Sequence, residues 1–525
     1  MNKKFFAIFF LMIALLVGCS SKEEKTATET PKDEETPGES TGGVINTAIT
    51  SSPATLDPHM NTAAVTSEVS RNIYEQLFAL NATYEPVPML AESYALSEDG
   101  TTYTIHLRKG VKFHNGDEMV AEDVVASLKK WIEVNSKKAL FDGAEFKIED
   151  NYTIVMQLPK VMFGVIEALA DNGQLSGIMP KEIAESATAM GATEFIGTGP
   201  FKLKEWKQDQ YIKLEKFQDY QSLDTPADGV SGKKEVFVDE LVYYIVPDES
   251  IRVAGLTTGE YDAAMMLPID SYDQLKASNP DLEVKKDVKT LFAVLNKKDG
   301  IFADQNMRHA VNAIFDKESI LIGVQSTPEF YKMDSSYMPA EQERWYSEAG
   351  NEYYDINDVE KARGYLGEAG YNGEEIRILT TRDYDILYNS AIIAKEQLEK
   401  AGVKVNLIVT DWPTLLETRK KPGEWDMFFT GFPTVLTPTQ NLFMSKDWPG
   451  WTDDPKLTEY IEKINSSKSA EEAQEIWQEA QGYAWEYMPA SKIGTYYEYA
   501  MYNSKTIEGY DVQFQGNVFW NTKKK

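Results

Sequence analysis

An apolar run near the start of the chain most limits what this sequence can fold into. Phe5–Val17 holds 13 consecutive apolar residues behind Lys3 and Lys4. About 18 or more apolar residues are needed to span a bilayer, whereas a shorter run behind positive charge is typical of a signal peptide. No other apolar run in the 525 residues reaches that length. The sequence therefore predicts a protein that does not span a membrane.

The single cysteine of the chain stands at the end of this run, in Leu16-Val17-Gly18-Cys19. The pattern resembles a bacterial lipoprotein signal, which implies that 1–19 is a signal peptide and that Cys19 is lipidated. The alternative is an ordinary secretory peptide with an incidental cysteine. A lone cysteine also excludes an intrachain disulfide and a multi-cysteine zinc site.

The segment after the cysteine, residues 20–43, is rich in Glu, Thr, Lys and Pro and has one aliphatic residue, Ala27. Such a stretch buries too little apolar surface to offset the entropy of ordering it. We therefore expect 20–43 to be a disordered acidic tether between an anchor and a folded region.

The folded region has the composition of a globular protein, with 42% apolar and 12% aromatic residues. The net charge of −30 argues against a nucleic-acid partner, because phosphate binding needs a basic face. Four histidines make a histidine-rich metal centre improbable, and no nucleotide-binding motif is present. We expect no metal, no cofactor and no catalytic residues.

Hydrophobic periods predict a mixed α/β fold, because helical and strand patterns alternate along the chain. Helices are predicted over 63–80, 121–134, 306–322, 388–401 and 471–487, and strands over 103–107, 152–158, 212–217, 241–246 and 403–409.

An enzymatic reading has little support in the sequence. His114 and Asp117 stand close enough for acid–base chemistry, yet no Ser or Cys is tied to them by a motif. The G-x-S-x-G match over 38–42 lies in the tether, where the required strand and helix are absent. A lipid-anchored secreted hydrolase remains an alternative on these grounds.

Several ordered motifs resemble the family-5 extracellular solute-binding proteins, the peptide/nickel group that serves ABC importers. The resemblance spans nearly the whole chain after the tether and rests on Thr55–His59, Tyr74–Phe78, Pro88–Ser93, Leu107–Asp117, Gly197–Leu203 and Met307–Val311. It implies a monomeric, non-enzymatic receptor on the outer face of the cytoplasmic membrane or in the periplasm. Such a receptor would capture a peptide or peptide-like ligand and deliver it to a permease and ATPase complex.

The resemblance also implies a two-lobed periplasmic-binding-protein-like fold of class II type that closes over ligand by a hinge. Lobe I would combine 44–88, 198–283 and 495–525. An inserted subdomain would cover 89–197, and lobe II would cover 284–494. In peptide-binding members the ligand forms an extra strand between the lobes, so that main-chain hydrogen bonds give the affinity.

Ligand-binding residues follow from the same resemblance. The lobe I contact strand would be Ser52, Pro53 and Ala54. The lobe II strand follows a W-D-x-x-x-x-G-F pattern, here Trp425–Phe432, which includes Gly431 and Phe432. Trp412 and Arg419 match an upstream Trp and Arg, and Arg419 would either hold a ligand carboxylate or be a solvated helix residue.

The sequence departs from the peptide-binding pattern just after this strand. Val435 stands where an Asp commonly pairs with the ligand α-ammonium, and 431–441 contains no acidic residue. Pro433 has no N–H to offer a ligand ladder. The alternatives are therefore a blocked or modified peptide, or another solute such as a sugar, an opine-like compound or, with less support, a metal chelate.

Overall fold

We analysed a computed structural model, which describes residues 42–514 and 516–525. The predicted signal peptide, Cys19 and nearly all of the tether lie outside the described residues. Gly42 and Gly43, the last two tether residues, are hydrogen-bonded to the Phe237 carbonyl and the Asp239 carboxylate.

The described residues form strands β1 (Val44–Ile49), β2 (Phe78–Leu80), β3 (Pro86–Pro88), β4 (Ala91–Leu96), β5 (Thr102–Leu107), β6 (Glu145–Asp150), β7 (Thr153–Gln157), β8 (Phe201–Lys207), β9 (Tyr211–Lys216), β10 (Glu240–Ile245), β11 (Ala263–Met265), β12 (Leu282–Leu295), β13 (Tyr331–Lys332), β14 (Glu375–Thr381), β15 (Lys404–Thr410), β16 (Met427–Pro433), β17 (Ala490–Asn503), β18 (Ile507–Glu508), β19 (Asp511–Gln513), β20 (Gly516–Val518) and β21 (Lys523–Lys524). The α-helices are α1 (Ala64–Ile73), α2 (Ala121–Val134), α3 (Val165–Leu169), α4 (Lys181–Ser186), α5 (Glu249–Thr258), α6 (Tyr272–Ser278), α7 (Gln305–Ile314), α8 (Lys317–Gln325), α9 (Val359–Glu368), α10 (Asp385–Lys400), α11 (Trp412–Thr418), α12 (Pro455–Asn465) and α13 (Ala470–Tyr487).

The five predicted strands and three of the five predicted helices are confirmed within a few residues. The helix predicted over 63–80 is too long. It ends at Ile73 because Tyr74 turns to an extended conformation and the chain continues into β2. The helix predicted over 306–322 is two helices, since Phe315 is extended and the Asp316 carboxylate caps a new helix at the Ser319 N–H.

The largest sheet has the strand order β15-β14-β16-β12-β17-β11-β1-β10-β9-β8, with β13 also paired to β17. Two 14-residue antiparallel strands, β12 and β17, form its centre. One end of β17 pairs with β11, through Ala500–Tyr502, whereas Lys289–Leu295 of β12 pairs with β16. On one side of Val288 the pair is flanked by β11, next to β17, and on the other side by β16, next to β12. The pair β12 and β17 therefore joins the two halves into one continuous sheet. The predicted lobe boundaries, 283/284 and 494/495, fall inside these two strands.

A separate four-stranded sheet, β4-β5-β7-β6, lies within the predicted insertion 89–197. Together with α2 it packs around a core that includes the buried rings of Phe113 and Trp131 and continues to β2 and Trp520. Another core surrounds α7, α10 and α13. Among the described residues no helix is long and apolar enough to cross a membrane, and no group of three His, Cys, Asp or Glu side chains is placed to hold a metal ion.

Candidate functional site

The candidate site lies where β12 and β17 exchange neighbours. A cavity of about 260 Å³ opens there, which we call the junction cavity. Its walls come from the ends of β1 and β11, the start of α1 and the middle of β12 and β17, and they comprise Ala48–Ser51, Ala63–Val65, Glu68, Met265, Met266, Asp287, Lys289 and Glu498. Because its walls belong to both halves of the sheet, the cavity changes shape if the halves move relative to each other.

The predicted lobe I strand begins one residue beyond this wall. Thr50 and Ser51 line the junction cavity, and Ser52 follows directly. The Ser52 hydroxyl accepts a hydrogen bond from Gln208 Nε2 at 3.0 Å, Pro53 is buried and Ala54 is exposed. These three residues continue the chain past β1 but pair with no strand in the described part of the molecule.

The predicted lobe II strand is β16. One edge of β16 pairs with β12 along its whole length, so that Pro433 lies opposite Lys289. At the other edge only Met427 and Phe428 pair with β14, and Phe429–Pro433 have no strand partner among the described residues. Lys289, opposite Pro433 on the β12 side of β16, lines the junction cavity, so β16 is linked to the cavity through β12. The edge offers main-chain groups to an added strand.

Gly431 is required by packing behind that edge. A Cβ atom at this position would collide with the Tyr496 hydroxyl, which comes from β17, the strand beyond β12. The glycine therefore lets the buried Tyr496 ring lie directly against the backbone of β16. Phe432, the next residue, is half-buried and packs edge-on to Phe292 at 5.7 Å between ring centroids.

Val435 lies two residues beyond the end of β16, and its carbonyl already accepts a hydrogen bond. Gln342 Nε2 donates a hydrogen bond to this carbonyl at 2.6 Å. The neighbours Thr434 and Leu436 face a narrow space shared with Tyr84, Asp287 and Phe514. Position 435 thus brings no charge to the region, and the acidic groups there come from other elements.

Three carboxylates line the junction cavity against one lysine. Glu68 and Asp287 are buried, and Glu498 forms an ion pair with Lys289 at 2.5 Å. Burial raises the pKa of Glu68 to about 7, although the nearby Arg71 charge and a hydrogen bond from Asn517 act in the opposite direction. The buried Arg71 charge acts on Asp287 as well, so that Lys289 and Arg71 together leave the three carboxylates at most one uncompensated negative charge, which would suit a ligand group that carries positive charge.

Sequence reasoning did not find these four residues. Asp287 and Lys289 are two apart on β12 and so share one face of the strand, but four of the five residues in Lys285–Lys289 are charged. Nothing in that pattern distinguishes a solvated strand end from a cavity wall.

Arg419 and Trp412 lie at opposite ends of α11. The Asp411 carboxylate caps the helix at the Thr414 N–H, and the Arg419 guanidinium stacks over the Trp448 ring at 5.4 Å. Trp448 also packs against Phe432, at 5.6 Å between ring centroids. The structure thereby joins Arg419 to β16 through one aromatic ring.

The charge of Arg419 is only partly compensated. Its Nε atom is buried and has no hydrogen-bond partner within the described region, and burial lowers the pKa of its guanidinium. Trp412 instead packs on Tyr384 at 5.0 Å, and its backbone N–H donates to Asp383. The ring partner of Trp412 is thus Tyr384, whereas the ring partner of Arg419 is Trp448.

The His114 ring is hydrogen-bonded to the protein backbone. Its Nε2 lies 3.0 Å from the Gly199 carbonyl, and its Nδ1 accepts from the Gly197 N–H at 3.3 Å. Burial lowers the pKa of His114 to about 4, and its ring packs edge-on against Phe217. Both ring nitrogens are engaged by backbone, which gives the residue a structural role and leaves no free nitrogen for acid–base chemistry.

Comparison with known proteins agrees with this geometry. The family model of the bacterial extracellular solute-binding proteins, family 5 (middle region), matches residues 85–453. The chain belongs to this family of solute-binding receptors, as the motif resemblance predicted.

Individual proteins resemble it over most of their length. A probable peptide ABC transporter periplasmic-binding protein of Sinorhizobium fredii is 28% identical over 508 residues, covering 89% of this chain and 91% of the relative. The oligopeptide-binding protein AppA of Bacillus subtilis is 25% identical, covering 91% and 92%.

Solved structures show the same fold. The ABC transporter substrate-binding protein CtaP of Listeria monocytogenes superimposes with a TM-score of 0.78 at 20% identity, covering 89% of this chain and 95% of that one. AgaA of Agrobacterium tumefaciens, solved with agropinic acid, gives a TM-score of 0.73 at 24% identity, covering 92% and 99%. The predicted two-lobed α/β periplasmic-binding-protein fold is confirmed.

Proposed function

We propose that this protein captures a peptide or peptide-like solute between its lobes and delivers it to an ABC permease. The observation that carries the proposal is the open edge of β16 over Phe429–Pro433, on the side away from β12. An extended ligand paired with this edge would gain main-chain hydrogen bonds without needing a particular side chain. The names of the two relatives, both peptide-binding proteins, support the same solute class.

The charge of the junction cavity bears on which peptide is bound. An acid at position 435 is absent, yet Glu68, Asp287 and Glu498 line the adjacent cavity. We therefore expect a free ligand ammonium to be held there, because a buried ammonium needs a nearby negative partner. Arg419, beside Phe432 through Trp448, is the residue best placed to interact with a carboxylate at the other end.

A second candidate is the same receptor role for a non-peptide solute. The absence of an acid at Val435 and the likeness to AgaA, which was solved with agropinic acid, favour an opine-like compound as the first alternative. A sugar or a metal chelate is less well supported, because neither has a matching feature in the described residues.

Further elements of the proposal concern where and how the receptor acts. Lipidation of Cys19 would anchor it to the outer face of the cytoplasmic membrane or in the periplasm, with 20–43 as a tether. We propose Ser52, Pro53, Ala54, Trp412, Arg419, Gly431, Phe432, Pro433 and Val435 as ligand-contacting positions. We also propose that the protein is a monomer without enzymatic activity, and the engagement of His114 by backbone supports the latter.

Native mass spectrometry of the gently purified full chain tests the function. We expect a co-purified solute whose mass fits a short peptide or a peptide derivative. Libraries of free and N-acetylated peptides should then raise Tm. At a peptide concentration of about a hundred times Kd, the free energy of unfolding should rise by about 2.7 kcal/mol. A larger response to the free peptides would support recognition of an ammonium. If neither library raises Tm while opines or sugars do, the peptide assignment is wrong.

A further inference from the structure

A second cavity lies apart from the junction cavity and shares no lining residue with it. It has a volume of about 530 Å³ and opens where residues 85–167 meet residues 344–471. We call it the seam cavity. Cavities of this size hold small organic molecules in other proteins.

Direct contacts across the seam fix the walls of this cavity. The Arg344 guanidinium pairs with Glu85 at 2.5 Å. The Phe163 N–H donates to the Asn465 carbonyl at 2.8 Å, and the Phe163 ring packs edge-on to Trp345. Because both sides contribute, a molecule in the cavity would contact both segments at once.

The Glu167 carboxylate is a buried acidic group in the wall of the seam cavity. Glu167 is 8% exposed, lines the cavity and makes no ion pair among the described residues. Its one hydrogen bond of note is to its own backbone N–H, and burial raises its pKa against the opposing charge of Arg344. Arg344 itself is already paired with Glu85, so the charge of Glu167 is not directly neutralised.

The other residues that line the seam cavity indicate what kind of group would neutralise the Glu167 charge. Three carboxylates (Glu85, Glu167 and Glu471) face two basic side chains (Arg344 and Lys468), which leaves one negative charge. The phenol groups of Tyr94 and Tyr103 line the same cavity, and the charge of Glu167 adds to burial in raising the pKa of each. Aromatic faces beside a carboxylate are favourable surroundings for an organic cation.

The apolar part of the wall sets the shape of such a molecule. Leu96, Val161, Met162 and Ile166 line the cavity beside the two tyrosines. We propose that the seam cavity is a second ligand site, which takes a small organic cation with an apolar body, and that Glu167 holds its charged nitrogen. The proposed solute site in the junction cavity is not required for this binding.

Isothermal titration of the full chain with 2-phenylethylammonium chloride tests the proposal, with neutral 2-phenylethanol as the matched probe. We expect saturable binding of the cation and at least about tenfold weaker binding of the alcohol. Glu167→Gln, which keeps the shape and removes the charge, should weaken cation binding by a similar factor. The exposed Glu182→Gln, on the neighbouring helix α4, should bind like the wild type.

Tyr94→Leu is a second variant, since Tyr94 is 43% exposed and its loss leaves the core intact. Tyr94→Leu should weaken binding of the 2-phenylethylammonium cation several-fold and binding of the alcohol by less. Absence of saturable heat up to about 10 mM cation, a range that reveals even millimolar affinity, would overturn the proposal. Equal affinities in Glu167→Gln and Glu182→Gln, or equal binding of cation and alcohol, would overturn it as well.

Discussion

Two ion pairs link the halves of this molecule in different ways. Lys289 and Glu498 pair on β12 and β17, two strands that are hydrogen-bonded along their whole length. Arg344 and Glu85 pair across the seam, between segments with no shared strand. The first pair survives any opening that bends the strands, whereas the second must break if the halves separate. If the lobes move by the hinge that the fold implies, the junction strands would bend and stay paired, and loss of the Arg344–Glu85 pair would accompany opening.

The largest expected effect comes from disturbing the junction. Gly431→Ala should lower the free energy of unfolding by about 3 kcal/mol and abolish solute binding, because the added methyl group collides with the Tyr496 hydroxyl and displaces β16. Urea denaturation and the peptide Tm shift measure the two effects.

Gly364→Ala is the matched control for that substitution. Gly364 lies in α9, where an added Cβ meets no described atom within 4 Å, so the change should stabilise the protein by about 0.5 kcal/mol. Unchanged stability and binding in Gly431→Ala would show that the close contact behind β16 is unimportant.

A smaller effect is expected from Glu68, on the lobe I wall of the junction cavity. Its folded pKa of about 7 exceeds the ordinary value of 4.5, so the folded state binds this proton more tightly than the unfolded state. Stability from this group is present below about pH 4.5 and is lost as the pH rises to about 7.

Glu68→Gln should remove this dependence. Between about pH 5 and pH 8 the wild type should lose about 2 kcal/mol more unfolding free energy than the variant does. Urea titrations at several pH values compare the two, and the difference cancels the contribution of the buried histidines. Parallel pH profiles would mean that Glu68 is charged in the folded protein at pH 5.

The smallest effect on stability is expected at the seam. Arg344→Ala should change the free energy of unfolding by less than about 1 kcal/mol, since the pair is partly exposed. It should nevertheless weaken solute binding a few-fold, because the closed state loses a contact that the open state never makes.

A double-mutant cycle with Glu85→Ala isolates the pair, and Arg363→Ala, which breaks a pair within α9, serves as the control. If the wild type, Arg344→Ala, Glu85→Ala and the double variant bind solute with equal affinity, the Arg344–Glu85 pair does not favour the closed state and differs in no such way from the Lys289–Glu498 pair.

The sequence contained most of the fold but only part of the site. Strands such as β5 and β9 were predictable because their apolar residues alternate, and α2 because its apolar residues recur at helical spacing. The break at Asp316 was missed, since an N-cap inside an apolar helical pattern gives little periodic signal.

For the site, motif resemblance located β16 and α11 but not the walls of the junction cavity. Glu68, Asp287 and Glu498 come from three elements far apart in sequence, and only the register of β12 against β17 brings the last two opposite each other. Of the motif tryptophans, Trp425 is fully buried core, and it is Trp448, outside those motifs, that connects Arg419 to Phe432.

Hydrogen–deuterium exchange with and without a saturating peptide pool tests the central claim, that solute pairs with the open edge of β16 at the lobe junction. We predict slower exchange in a proteolytic fragment covering Phe429–Phe432 and in one covering Thr50–Ala54, with little change in the outer strand β15. Peptide binding that raises Tm while exchange at both segments stays the same would contradict the account.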